Sequence, residues 1–481
     1  MQQRQLKLVT IVVAMMGSVT TQALPFNSFD PRSMAMGGAG VAVGDPATAP
    51  FFNPALLSVS DPGKNYSVEF PIIGARLYDP ADMQNNLSTL SDNVNALNSS
   101  IATVNANANS TVLTEISKVP GNMTTVANNI DTVNNKLASL SNKPLQGEFG
   151  VATVIGIPGK NYGFAFYADA YGAAGGTLEY NDATTLSNLS ADVKKAADVL
   201  SGTTAVANDA AAQAACTRVS TGSALLTAAD VDTCIAYAAT LSNLSSTLNN
   251  ASNALNFNTN TQVASKIHIR GAMISEVGLS ASHGFIYHDQ AWVLGVTPKL
   301  MQLQLFDALL DANSGNTDGV TGSANLIKYS AFNFDIGTAR NYENGWRSGL
   351  VIKNVLPQNF DFKRNNVATG AKLSLQPQIR AGVSYENEWS TVALDVDLTK
   401  NDPAGLENHS QYMAFGGELS ALGWAQLRAG YRADLIDSSR SLTSVGLGIS
   451  PRIPYFKFHF DLAYAFNSSE QGASLRLGLN F

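Results

Sequence analysis

The residues able to do chemistry in this chain are few, and their spacing favours pairing and binding over catalysis. Five histidines occur among 481 residues. His268, His283, His288 and His459 fall in or between strand-like stretches without the spacing of a metal site. No Ser, His and Asp stand in the pattern of a nucleophile with its base, although groups on different strands could still be brought together by a fold. The expectation is no catalytic residue, no metal and no cofactor. What remains is a set of ionised side chains in alternating stretches: Arg380, Asp395, Asp397, Glu418, Arg428, Arg432, Lys457, Asp461 and Arg476. Opposite signs recur on neighbouring stretches, and charges withdrawn from water need partners. They read either as a ladder bracing an interior or as a path that selects its substrate.

The elements that must position these charges are strands. In Thr391–Leu398 every even residue is apolar and every odd one small or polar, and Phe456–Phe466 alternates in the same way. A period of two separates two faces. In the last stretch Ala473, Leu475, Leu477, Leu479 and Phe481 share one face, and Ser474, Arg476, Gly478 and Asn480 the other. Extended along the chain, the pattern predicts about fourteen strands. They cover 65–78, 147–156, 161–180, 263–281, 290–305, 325–340, 346–355, 372–387, 389–399, 410–420, 424–434, 441–450, 455–466 and 471–481. The number is even, and long and short connections alternate, as in membrane barrels with short turns at one end.

Composition agrees. Charged residues make up 14%, mean hydropathy is +0.00, and there are 39 glycines. A soluble globular chain carries about 25% charge, and a helical membrane protein is far more apolar. A barrel with one lipid face and one polar lumen averages between them. The net charge is −7, or −9 without Arg4 and Lys7, and no basic stripe offers itself to nucleic acid.

Residues 1–23 read as a signal peptide: Arg4 and Lys7, an apolar run from Leu8 to Val19, then Thr21-Gln22-Ala23. That places the protein in the outer membrane, with outer-membrane lipid and the barrel assembly machinery as partners. In an exported chain Cys216 and Cys234, 18 apart and without C-x-x-C spacing, predict a local disulfide. An alternating final strand ending on Phe481 is similar to the assembly signal of bacterial barrels.

Residues 24–64 precede the first strand and carry a dense small-residue stretch with Gly37, Gly38, Gly40 and Asp45, then Asn53, Pro54 and Ala55. Glycine at this density lets backbone approach backbone, which suits a plug threaded through a barrel formed by 65–481. Here the sequence resembles the FadL-like outer-membrane transporters. Gly349–Asn354, Pro377–Val383, Leu394–Lys400 and Arg428–Arg432 are more specific, and together they resemble the TraF-like family of conjugal transfer proteins. The resemblance implies fourteen strands, a plug and passage of a hydrophobic or amphiphilic small molecule. A role in conjugation or secretion, as a structural protein, is the alternative that the family name implies.

Two inserts, 79–146 and 181–262, interrupt the strands. Met83, Leu87, Leu90, Val94, Leu97, Ile101 and Val104 step by four and three, and Val126, Ile130, Val133, Leu137 and Leu140 repeat the pattern. Such seams predict a helical hairpin, and a looser seam runs through the second insert. Within the barrel, Pro71 cannot donate to a ladder, and Gly175-Gly176 weakens one. A lateral gap near strands one to three is expected there. The fold class is therefore an all-β transmembrane antiparallel barrel of about 14 strands, with an N-terminal plug and two helical inserts.

Overall fold

The computed structural model describes residues 22–23, 29–59, 66–108, 115, 117–201, 210–221, 227, 229–234, 264–311, 322–342, 344–402, 404–406, 408–420, 423–453 and 456–480. Residues 1–21, most of the expected signal peptide, and the terminal Phe481 lie outside them.

Fourteen antiparallel strands close on themselves. They are β1 Ser67–Tyr78, β2 Leu145–Ile157, β3 Tyr162–Glu179, β4 Lys266–Tyr287, β5 Gln290–Asp311, β6 Leu326–Asn341 and β7 Trp346–Lys353. After these come β8 Gln378–Glu386, β9 Ser390–Asp397, β10 Tyr412–Leu419, β11 Ala425–Asp434, β12 Leu442–Ile449, β13 Phe456–Phe466 and β14 Glu470–Asn480. Each pairs with its neighbour in sequence, and β14 pairs with β1 to complete the barrel. Closure removes every strand edge, which is the condition for placing strands in lipid.

The two faces separate by polarity. Phe70, Leu279, Leu300, Phe415 and Leu427 point outward and are 57–66% exposed, whereas Asp335, Asp395, Asp397, Asp461 and Arg476 point inward and are at most 3% exposed. An apolar outer band around a polar interior is the signature of a membrane-spanning barrel. All four tryptophans of the chain, Trp292, Trp346, Trp389 and Trp424, lie at the start of, or one residue before, strands rising from the same end. They form one aromatic girdle at the short-turn end. No helix among the described residues is long and apolar enough to cross a membrane.

Three expectations about the strands need correction. Residues 372–387 do not form one barrel strand. Residues 367–375 instead pair with 358–364 in a separate hairpin, and β8 begins at Gln378. The hairpin turns on Asn365 and Asn366, both at positive φ (50° and 64°), the conformation a two-residue hairpin loop requires. Its Phe360, Phe362, Leu373 and Leu375 pack on Ile274, Met301, Leu303 and Leu305, inner-face residues of β4 and β5. Secondly, β4 and β5 run to Tyr287 and Asp311, beyond the 281 and 305 expected. On β5 the polarity inverts where the strand leaves lipid: outward Leu294, Val296 and Leu300 give way to Gln302 and Gln304. Thirdly, Gly175 and Gly176 leave no gap. Both are paired in register with β2 and with β4. Gly175 faces inward instead, where a side chain would crowd the backbone of Leu406.

The bulge at Pro71 is present. Glu69 pairs with Val154 and Ile72 with Ala152, so Phe70 and Pro71 together oppose Thr153, and the ladder to β14 shifts at the same place. The extra residue inverts the alternation, so that Glu69 and Arg76 both reach the lumen.

The inserts form α1 Met83–Ala108, α2 Val119–Leu140, α3 Ala183–Leu200 and α4 Ala210–Thr221. Rather than two separate hairpins they share one core, in which Leu97, Val126, Ile130 and Val133 meet Val193, Ala197 and Cys216. Lys194 bridges the inserts to Asp131 at 2.6 Å. Cys216 and Cys234 are joined, with Cα atoms 4.9 Å apart.

Candidate functional site

Residues 29–59 touch every one of the fourteen strands. A segment in contact with all strands of a closed barrel can only be inside it. Local chemistry fixes its path. Asp30 caps the helical turn Pro31–Ala35 by accepting from the Ser33 N–H. Asp45 accepts from the Ala47 N–H at 3.0 Å, and Asn53 from the Ala55 N–H at 3.1 Å, with Pro54 opening the next turn. Gly37 and Gly38 hold φ of 73° and 98°, which only glycine adopts without strain.

The segment is fastened to the wall by polar bonds. Asp395 accepts from the Gly40 and Val41 N–H groups at 2.7 and 2.9 Å. Asn53 donates to Val41 O and to Thr338 O on β6, both at 3.0 Å. Ser444 accepts from Gly37 N–H, Arg380 donates to Gly38 O, Ser384 donates to Ala42 O and Lys353 donates to Phe51 O. Between these bonds the wall is glycine where the segment comes closest. A side chain at Gly416 or Gly430 would occupy the backbone of Met36, and one at Gly295 the backbone of Pro54 and Ala55. Ala55 itself is fully buried.

The inward charges fall into separate groups rather than one ladder. The largest runs Arg32–Glu418–Arg428–Asp461–Arg476. Arg32 Nε lies 2.9 Å from Glu418, which also takes Arg428 Nε at 2.6 Å. Arg428 reaches Asp461 at 2.5 Å across β12, where Gly448 leaves the room. Arg476 binds Asp461 at 2.7 Å and Asp30 at 2.9 Å, and His459 meets Glu69 at 2.8 Å beside it. Both ends thus return to the N-terminal segment. Burial opposes the charge of Arg32, but Glu418, with Asp45 and Glu386 behind it, more than offsets this and holds the guanidinium above its ordinary range.

A second group pairs Arg380 with Asp397 at 2.5 Å. A third joins Arg432 to Glu470 at 2.9 Å and Arg76 to Glu470 and Glu148, with Arg432 stacked 4.3 Å over the Tyr412 ring. Lys299 sits between Glu276 and Asp335 at 3.3 and 3.2 Å. Asp395 stands apart from the ladder expected of it, since its carboxylate binds backbone N–H groups. Lys457 pairs through its backbone with Asn480, and its side chain lies outside the described residues. Asp30, Arg32, Glu69 and Lys299 were not among the sequence candidates. Among the described residues no cluster of His, Cys, Asp and Glu is placed to hold a metal.

Two small cavities flank the segment. One, with about 50 Å³ of room, lies toward the insert end between Met34, Phe52, Leu442 and Ala465 and the guanidinium groups of Arg76, Arg380 and Arg432. The other, about 30 Å³, is bounded by Phe29, Phe51, Ile72 and Tyr171, with Asp30 and Asp169. Ile72 adjoins the Phe70-Pro71 bulge, so this second cavity lies against the irregular part of the wall. Adjacent residues Phe51 and Phe52 line one cavity each.

A closed fourteen-stranded barrel with an apolar belt, an aromatic girdle and a polar, occupied lumen is an outer-membrane-type β-barrel. Over residues 50–397 the chain matches the family described as F plasmid transfer operon, TraF, protein, and it belongs to that family. No curated protein matches it in sequence. Solved structures of similar outline include the Ralstonia pickettii toluene transporter TbuX, with TM-score 0.43 and 12% identity over 95% of this chain and 98% of that one. The monoaromatic hydrocarbon channel CymD gives TM-score 0.43 and 12% identity over 95% and 98%. The Pseudomonas putida toluene transporter TodX gives 0.41 and 10% over 96% and 99%. At such identity and overlap, these likenesses carry no argument about cargo.

Proposed function

We propose that the protein is a FadL-like outer-membrane channel for hydrophobic or amphiphilic small molecules, with residues 29–59 as its plug. The observation that carries this reading is the pair of cavities on the two sides of Phe51-Phe52. A molecule entering from the insert end meets an apolar chamber rimmed by arginines, which suits an apolar body with a polar end. Beyond the two phenylalanines it meets a mainly apolar chamber beside the bulge, where the wall is weakest. Exit sideways into lipid at Phe70-Pro71 follows from that placement.

Deleting Pro71 tests it. The deletion removes the extra residue, leaves Phe70 opposite Thr153 and preserves the alternation on either side. The variant should fold to the heat-modifiable form and lose uptake of a fluorescent hydrophobic probe into proteoliposomes. Full uptake by the folded variant would exclude the lateral exit. No uptake by the unaltered protein would exclude the channel itself and favour the second reading, a structural protein of a transfer or secretion system. That reading is supported by the family description and by the disulfide-bonded helical layer over β1–β4.

A further inference from the structure

On the outer face near the girdle, Trp292 of β5 and Arg340 of β6 are directly opposite one another. Both share the outward parity of their strands, with Leu294 (51% exposed) next to Trp292 and Phe332 (50%) further along β6. The Arg340 guanidinium lies 4.3 Å from the centre of the Tyr342 ring and 5.4 Å from that of Trp292. It is therefore held against two aromatic rings, while the residue as a whole is half-buried. Trp292 Nε1 and Arg340 Nε are each shielded from solvent and find no hydrogen-bond acceptor among the described residues. The neighbouring Arg347 points inward, toward Glu386 at 3.6 Å.

A buried donor without an acceptor is costly, and more so when it is charged. Two of them belong to outward-facing, paired residues at the tryptophan level, where headgroups lie. We infer that Trp292 and Arg340 form a binding site for the phosphate of a glycerophospholipid in the leaflet facing the short turns. The two side chains turn to meet the phosphate, which accepts from the Arg340 guanidinium and from Trp292 Nε1 and neutralises the positive charge. The acyl chains lie along the apolar outward side chains of β5, Leu294 and Val296. Short turns face the periplasm in barrels of this kind, so the lipid is an ordinary phospholipid rather than lipopolysaccharide.

The test uses the full-length protein with Trp346→Phe, Trp389→Phe and Trp424→Phe, which leaves Trp292 as its only tryptophan. It is reconstituted into phosphatidylcholine vesicles with increasing amounts of brominated phosphatidylglycerol or of brominated diacylglycerol, which lacks the phosphate. Half-quenching of Trp292 should need about tenfold less of the phosphate lipid, and that preference should disappear in Arg340→Gln. Equal quenching by both lipids in the parent overturns the site, and this arm stands even if Arg340→Gln fails to fold. A preference that survives Arg340→Gln with heat-modifiable migration intact overturns it as well. Protection of Trp292 by added lipopolysaccharide but not by phosphatidylglycerol overturns the assignment to phospholipid.

Discussion

Arg476 shows what a single residue does in this barrel. Its guanidinium is 2% exposed and faces Asp461, Asp30 and Glu69, one on β13, one on the N-terminal segment and one on β1. It therefore ties segment to wall at one point. Arg476→Met keeps the volume and removes the charge, leaving three carboxylates without their shared cation. Breaking a buried pair by removing one partner costs about 3–5 kcal/mol. The variant should reach half-unfolding at lower guanidinium concentration, and protease should cut within 29–59. An unchanged midpoint would mean that the segment's other bonds, Arg32–Glu418 among them, hold it without Arg476. Arg476 was legible as an inward charge because β14 alternates without a break. Glu69 was not, because the bulge at Phe70-Pro71 reverses the parity that follows. Asp30 and Arg32 precede the first strand, where no alternation assigns a face. The inward glycines were the least legible of all: a residue without a side chain has no polarity to report which face it is on.

At the scale of elements, the strands follow from period two wherever both faces keep their polarity, as in β9 and β13. The pattern misleads at 372–375, where the end of the hairpin's second arm reads like the start of a barrel strand. The Asn365-Asn366 turn was the available signal for a hairpin whose first arm, 358–364, lies in a stretch expected to be a connection. The helical inserts were legible as seams, but not their union, since a seam does not name its partner. Their shared core is closed by Cys216–Cys234, a separation of 18 residues, and a loop of that size contributes about 3 kcal/mol. Cys216→Ser with Cys234→Ser should therefore lower the thermal midpoint of the helical circular-dichroism signal. The barrel should keep its heat-modifiable migration, because none of its fourteen strands includes either cysteine. Coincident loss of both signals would show that the layer and the barrel fold as one unit.

For the whole molecule, under the proposed channel function, the question is whether the segment moves when cargo passes. Its bonds run to strands all round the barrel, so wholesale withdrawal breaks many at once, whereas a rotation of Phe51 and Phe52 breaks none of the backbone contacts. Passage past a stationary segment is the cheaper route. Ser58, at the segment's C-terminal end, and Ser282 on β4 place their hydroxyl oxygens 2.6 Å apart and both are buried. Ser58→Cys with Ser282→Cys should close into a disulfide and pin that end to the wall, since side chains this close match the short reach of such a bond. If cargo slips past the phenylalanines and leaves at the bulge, the oxidised variant transports as well as the reduced one, and deletion of Pro71 abolishes uptake in both. If the segment must withdraw, oxidation stops uptake and a reductant restores it, while deletion of Pro71 has little effect. Uptake measured on the same proteoliposomes before and after reduction separates the two routes, with cross-linking scored by gel mobility.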